Sequence, residues 1–72
     1  LFKKHPAINR AVMVNLLSGN AIQGVLTETA GHYLILKAAT VHEPDAHPAS
    51  ADGEVVVDAA NVDFIQVLAE GR

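Results

Sequence analysis

From Ala11 onward the apolar residues recur with a period of two. Val12, Val14 and Leu16 point one way and Met13, Asn15 and Leu17 the other, which predicts a strand with one face on a core. Ser18-Gly19-Asn20 supplies turn chemistry, because Gly and Asn tolerate positive φ, so a hairpin is expected. A second strand follows from about Ala21 to Glu28 with Ile22, Gly24 and Leu26 on one face. A glycine inside a strand marks a sharp bend or a close backbone approach. After a turn at Thr29-Ala30-Gly31, the aromatic and β-branched content of His32 to Val41 predicts a third long strand.

Residues 42–53 contain two prolines and little to bury, and are expected to form an exposed, mobile loop. Strand patterning resumes at Glu54–Asp58, turns at Ala59-Ala60 and ends with Asn61–Leu68. Upstream, residues 2–10 are expected to form a short helix, with Pro6 in its first turn and Phe2 and Ile8 as its apolar side. The predicted fold is mostly β: one helix followed by a five-stranded, strongly bent, partly open barrel in a single domain spanning residues 1–72.

Composition adds a requirement for association. A chain of 72 residues is near the lower limit for independent folding, and without cysteine it has neither disulfides nor Cys-based zinc sites to support its core. Apolar residues make up 50% of the chain and charged residues only 18%, below the roughly 25% of an ordinary soluble domain. A monomer would therefore expose excess apolar surface, and self-association is expected.

The net charge of −3 argues against general affinity for nucleic acid or acidic membranes, although Lys3, Lys4 and Arg10 gather three of the five basic residues in the first ten positions. No apolar run is long enough to cross a bilayer and no secretory-signal pattern is present, so a soluble, cytoplasmic protein is expected. A chain that begins with Leu1 instead of methionine is expected to have been trimmed, with residues missing upstream.

The order and spacing of these elements resemble the Sm-like (Sm/LSm) superfamily over about residues 8–68. The family's first motif is matched by Val12, Val14, Leu16, Gly19, Ile22, Gly24 and Leu26. Its second motif reads here Val57-Asp58-Ala59-Ala60-Asn61-Val62, with the frame kept and the centre changed. The resemblance implies an N-terminal helix, a five-stranded barrel and a ring of identical subunits in which the fourth strand of one protomer pairs with the fifth of the next. Physics agrees, because an open barrel has two edges that must be paired or protected.

The resemblance also implies binding of uridine-rich single-stranded RNA inside the ring, by an aspartate and an asparagine of the first motif and an arginine of the second. Here the aspartate's place falls near Thr29 or Ala30, Tyr33 stands in place of the asparagine, and Asp58 in place of the arginine. A carboxylate repeated around a pore repels phosphate.

Each candidate residue has two readings. Tyr33 is either a stacking platform for a base or a strand tyrosine packed among its neighbours. Asp58 either lines a pore or bonds the amides of a turn, and Asn61 is either a ligand contact or a turn-former. Lys3, Lys4 and Arg10 form either a basic ring on the assembled particle or a solvated face.

His42, Asp45 and His47 match no metal-ligand spacing, so no metal or other cofactor is expected. No nucleophile elbow, catalytic triad or phosphate loop is present, so no enzyme is expected. Two functions follow: an Sm-like ring that binds single-stranded RNA, with Tyr33, Lys3, Lys4, Arg10 and Asn61 as contacts, or a ring-shaped assembly protein of phage or bacterial type that contacts only protein.

Overall fold

The computed structural model describes residues 5–69. Six strands make one open antiparallel sheet: β1 (Arg10–Leu16), β2 (Ala21–Ala30), β3 (Tyr33–His42), β4 (Ala49–Ala51), β5 (Val55–Asp58) and β6 (Val62–Val67). A single 3-10 turn, Ala59–Asn61, joins the last two. Spatially the strands run β4-β3-β2-β1-β6. β5 pairs with the first half of β3 and β4 with its second half, so both lie along the same edge of that strand.

The predicted alternation is realised in β1 and β2. Val12 and Val14 are buried and Leu16 packs against the core from a half-buried position, while Ile22, Gly24 and Leu26 are all buried on the facing strand. Leu34 and Leu36 of β3 and Val57 of β5 complete the core, whose largest fully buried side chains are Leu26, Leu36, Val12 and Val14. Each such side chain contributes about 1.5–3 kcal/mol through removal from water, so a core this small leaves little margin.

Two bulges between β2 and β3 bend the sheet, and β6 carries a further extra residue, Asp63, where it pairs with β1. Between the pairs Gln23↔Thr40 and Val25↔Lys37, β2 supplies only Gly24 where β3 supplies Ala38 and Ala39, and Ala38 takes φ +53° to accommodate the extra residue. A Cβ on Gly24 would lie 2.9 Å from the Lys37 carbonyl oxygen and 3.2 Å from Ala39 Cα, which is the physical reason for a glycine here. Further along, Thr27 is the extra residue on β2, and its Oγ1 donates to the Ile35 carbonyl at 3.2 Å.

Two expectations are corrected. No α-helix occurs among the described residues. The predicted helix of residues 2–10 is a turn over residues 6–9, and its positions 2–4 lie outside the described residues. Ile8 N donates to the His5 carbonyl and Arg10 N to the Ala7 carbonyl, short-range bonds that close a turn instead of propagating a helix. Asn9 at φ +62° leaves the helical region, and its N–H is taken by the Leu26 carbonyl of β2. A segment this short cannot offset the cost of helix nucleation. Its apolar content is still used, since Ala7 is buried and Ile8 packs against the core.

The second correction concerns residues 42–53. His42 ends β3, and Ala49–Ala51 form an extra strand paired with Ala39–Val41, giving six strands where five are expected. Small side chains can pair through backbone groups without burying a face, so the apolar pattern carries no trace of this strand. The connection between them is exposed, as expected.

Candidate functional site

Where the sheet curls over, β3 begins beside the turn that joins β5 to β6. Gly31 at φ +58° closes the β2–β3 turn, so that Tyr33 pairs with Ala30 on one side and Asp58 on the other. The Ala59 amide donates to the His32 carbonyl at 2.7 Å, tying the two turns together. Asp58 caps the 3-10 turn: its Oδ1 accepts from Ala60 N at 2.9 Å, and the Val62 N–H returns to the Ala59 carbonyl.

These constraints leave an open cleft of about 330 Å³ lined by His5, Thr29, Gly31, His32, Tyr33, Leu34, Ala59, Val62 and Ile65. Buried Leu34 and half-buried Val62 and Ile65 supply an apolar floor, and His5, Thr29, His32 and Tyr33 supply polar atoms to the walls. Tyr33 is 48% exposed, so its ring remains available to a ligand. Among the described residues, no lysine, arginine or carboxylate lines the cleft. An apolar floor, aromatic rings and hydrogen-bonding side chains suit a planar heteroaromatic ligand.

The structure thus brings together some of the candidate residues and separates others. Tyr33 and Asp58 are cross-strand partners, but Asp58 is engaged by its own turn. Asn61 ends that turn with its carbonyl accepting from Leu17 N at 2.8 Å, and does not line the cleft. Arg10 opens β1 opposite Leu26, exposed and outside the cleft. Lys3 and Lys4 lie outside the described residues.

Sequence reasoning missed His5 and His32, while Thr29 lies near the place the resemblance gives to the family's aspartate. His32 had a legible signal in its place directly before Tyr33. His5 reaches the cleft only through the N-terminal turn, where its Nδ1 accepts from Ala7 N at 3.1 Å. Among the described residues no three histidine or acidic groups are placed to share a metal ion, and His42 instead contacts Gln23 Oε1 through Nε2 at 3.2 Å. Nor is any helix among them long and apolar enough to cross a membrane.

No protein-family model matches the chain, and no curated protein matches it in sequence. Solved structures do match. A heptameric archaeal Sm protein is 30% identical over 88% of this chain and 91% of its own, with a TM-score of 0.74. The P. aerophilum SmAP1 heptamer is 29% identical over 89% of this chain and 85% of its own, at 0.75. The Pyrococcus abyssii Sm protein, solved in complex with a uridine heptamer, shares the fold at a TM-score of 0.76 with 23% identity, over 89% of this chain and 90% of its own. None of these likenesses points to a phage or bacterial type. Nearly full-length coverage at this identity, over the same open and bent sheet, makes the chain a member of the Sm-like superfamily.

Proposed function

We propose that the protein is a non-catalytic binding module that assembles into a ring through β5 of one protomer and β6 of the next, and that it takes single-stranded RNA by stacking a base on Tyr33. The assembly reading is supported by an open sheet that ends in β6 on one side and in β4 and β5 on the other. Both β5 and β6 carry exposed apolar side chains, and head-to-tail pairing that closes on itself protects every edge. Two of the similar structures are heptamers.

The single observation that carries the RNA reading is the Tyr33 cleft, with its apolar floor and polar walls. Base stacking on an aromatic side chain is worth about 1–3 kcal/mol per base and tolerates any sequence. The Pyrococcus protein of the same fold was solved with a uridine heptamer, which is consistent with a uridine-rich ligand. Arg10, Lys3, Lys4 and Asn61 are secondary contacts in this reading, with Arg10 meeting phosphate outside the cleft.

Titration of labelled oligouridine and mixed-sequence RNA at low and moderate salt tests it. Saturable binding that weakens with salt and falls at least tenfold in Tyr33→Ala is the expected result, and no binding at low salt would sink the RNA reading. Asp58 and the net charge of −3 favour a second reading, a ring that contacts only protein. In that case assembly persists while every RNA fails to bind.

A further inference from the structure

Two histidines from separate parts of the chain border the Tyr33 cleft, His5 in the N-terminal turn and His32 in the turn between β2 and β3. A volume of about 330 Å³ lies at the small end of ligand pockets, so both imidazoles border the same bound group. Histidine is the side chain whose charge changes between about pH 5 and pH 8. The place that the family gives to arginine holds Asp58, whose Oδ1 is taken up by the Ala60 amide. Of the described lining residues, only the histidines can carry positive charge.

We propose that His5 and His32 are phosphate-contacting residues of this cleft, and that their imidazolium forms hold the RNA backbone, so that binding tightens as pH falls. The proposal rests on the RNA reading above and adds the groups that meet phosphate and the condition under which they do so.

The two histidines are not equivalent. His32 is exposed and anchored through its backbone, its carbonyl accepting from the Ala59 amide at 2.7 Å, which leaves the ring to turn toward a ligand. Half-buried His5 uses Nδ1 to accept from Ala7 N at 3.1 Å, so in this arrangement its proton sits on Nε2 and the ring is neutral. A second proton turns Nδ1 into a donor facing a donor, and the turn loses that bond. His32 therefore carries the larger share of the response.

Tyr33 is the other ionisable residue of the lining. Next in sequence to lining positions are Glu28 on β2, Asp58 before the 3-10 turn and Asp63 on β6, while Lys3 and Lys4 lie outside the described residues. Carboxylic acids and phenols as classes titrate near about pH 4 and about pH 10, and lysine ammonium groups above pH 10. A window from about pH 8 to about pH 5.5 therefore selects imidazole among these side chains.

The test is an anisotropy titration of labelled oligouridine at the two ends of that window and at one ionic strength, reading the ratio of the two Kd values. A charge-assisted hydrogen bond is about twice as strong as a neutral one, so the wild type is expected to bind at least about fivefold more tightly at the lower pH. His32→Gln is expected to remove most of this ratio, and His32→Gln/His5→Asn all of it. Asparagine at position 5 keeps an acceptor for the Ala7 amide without titrating. A ratio cancels any hydrogen bond lost at both pH values.

His42→Gln/His47→Gln changes histidines outside the cleft and is expected to keep the wild-type ratio. Pairing of each imidazolium with a phosphate is expected to steepen the salt dependence of wild-type binding at the lower pH by about 0.7 in log Kd against log salt. Circular dichroism at both pH values checks that each variant is folded. A wild type that binds oligouridine with no pH effect, a double cleft variant that keeps the ratio, a His42→Gln/His47→Gln variant that loses it, or an unchanged salt slope overturns the histidine contacts and leaves the RNA reading standing. A wild type that binds no oligouridine at either pH overturns both.

Discussion

The close approach at Gly24 is the sharpest mechanical prediction. In Gly24→Ala the new methyl meets the Lys37 carbonyl oxygen at 2.9 Å, Ala39 Cα at 3.2 Å and Ala39 Cβ at 3.4 Å. The two closest atoms are backbone, so no side-chain rotation relieves the contact. They also belong to the bulge that bends β3, where Ala38 already holds φ +53°.

Overpacking of a fitted interior costs about 1–3 kcal/mol. Against this, alanine restricts the unfolded chain and returns about 0.4–1 kcal/mol. The expected net loss is roughly 1–2 kcal/mol, which for a domain of this size lowers Tm by about 5–15 °C. Thermal unfolding followed by circular dichroism, at one fixed protomer concentration because assembly adds to stability, measures it. A Tm equal to or above that of the wild type would show that the bulge yields freely and that steric exclusion is not why this position is glycine.

Two other substitutions probe the same framework. Ala38→Gly relieves a left-handed conformation that costs an alanine about 1–2 kcal/mol, part of it offset by the freer unfolded chain, so a gain of about 0.5–1 kcal/mol is expected in the same melting experiment. Destabilisation there would refute the reading of Ala38 as strained. Asp58→Asn keeps a side-chain oxygen for the Ala60 amide but removes the charge, so stability is expected to change by less than about 0.5 kcal/mol. Two unit charges about 8 Å apart in water repel by roughly 0.5 kcal/mol, so oligouridine binding in a filter or anisotropy titration is expected to tighten about twofold, and weaker binding would contradict the repulsive role.

Much of the strand framework is visible in the amino-acid sequence because burial on one face of a strand imposes a period of two. Val12, Val14, Ile22 and Leu26 could be assigned to one interior on that ground alone, and Gly24 could be marked as a bend. The short strand Ala49–Ala51 left no such mark, since its pairing uses backbone groups and its side chains bury almost nothing. Residues 5–9 misled for a different reason: their composition permits a helix, and it is the backbone contact of Asn9 with Leu26, distant in sequence, that fixes a turn.

The site divides in the same way. Tyr33 and Asp58 stand out in the sequence because they replace residues that the family resemblance leads one to expect, and Asp58 before a turn is legible as a cap. That Tyr33 shares a cleft with His5 and His32, and that Asn61 and Arg10 fall outside it, are consequences of strand register and the bulges. The sequence alone determined which strands form and which of their faces turn inward, because those follow from local alternation. Only the tertiary structure decided which residues meet, because pairing across a bent sheet depends on backbone positions far apart in the chain.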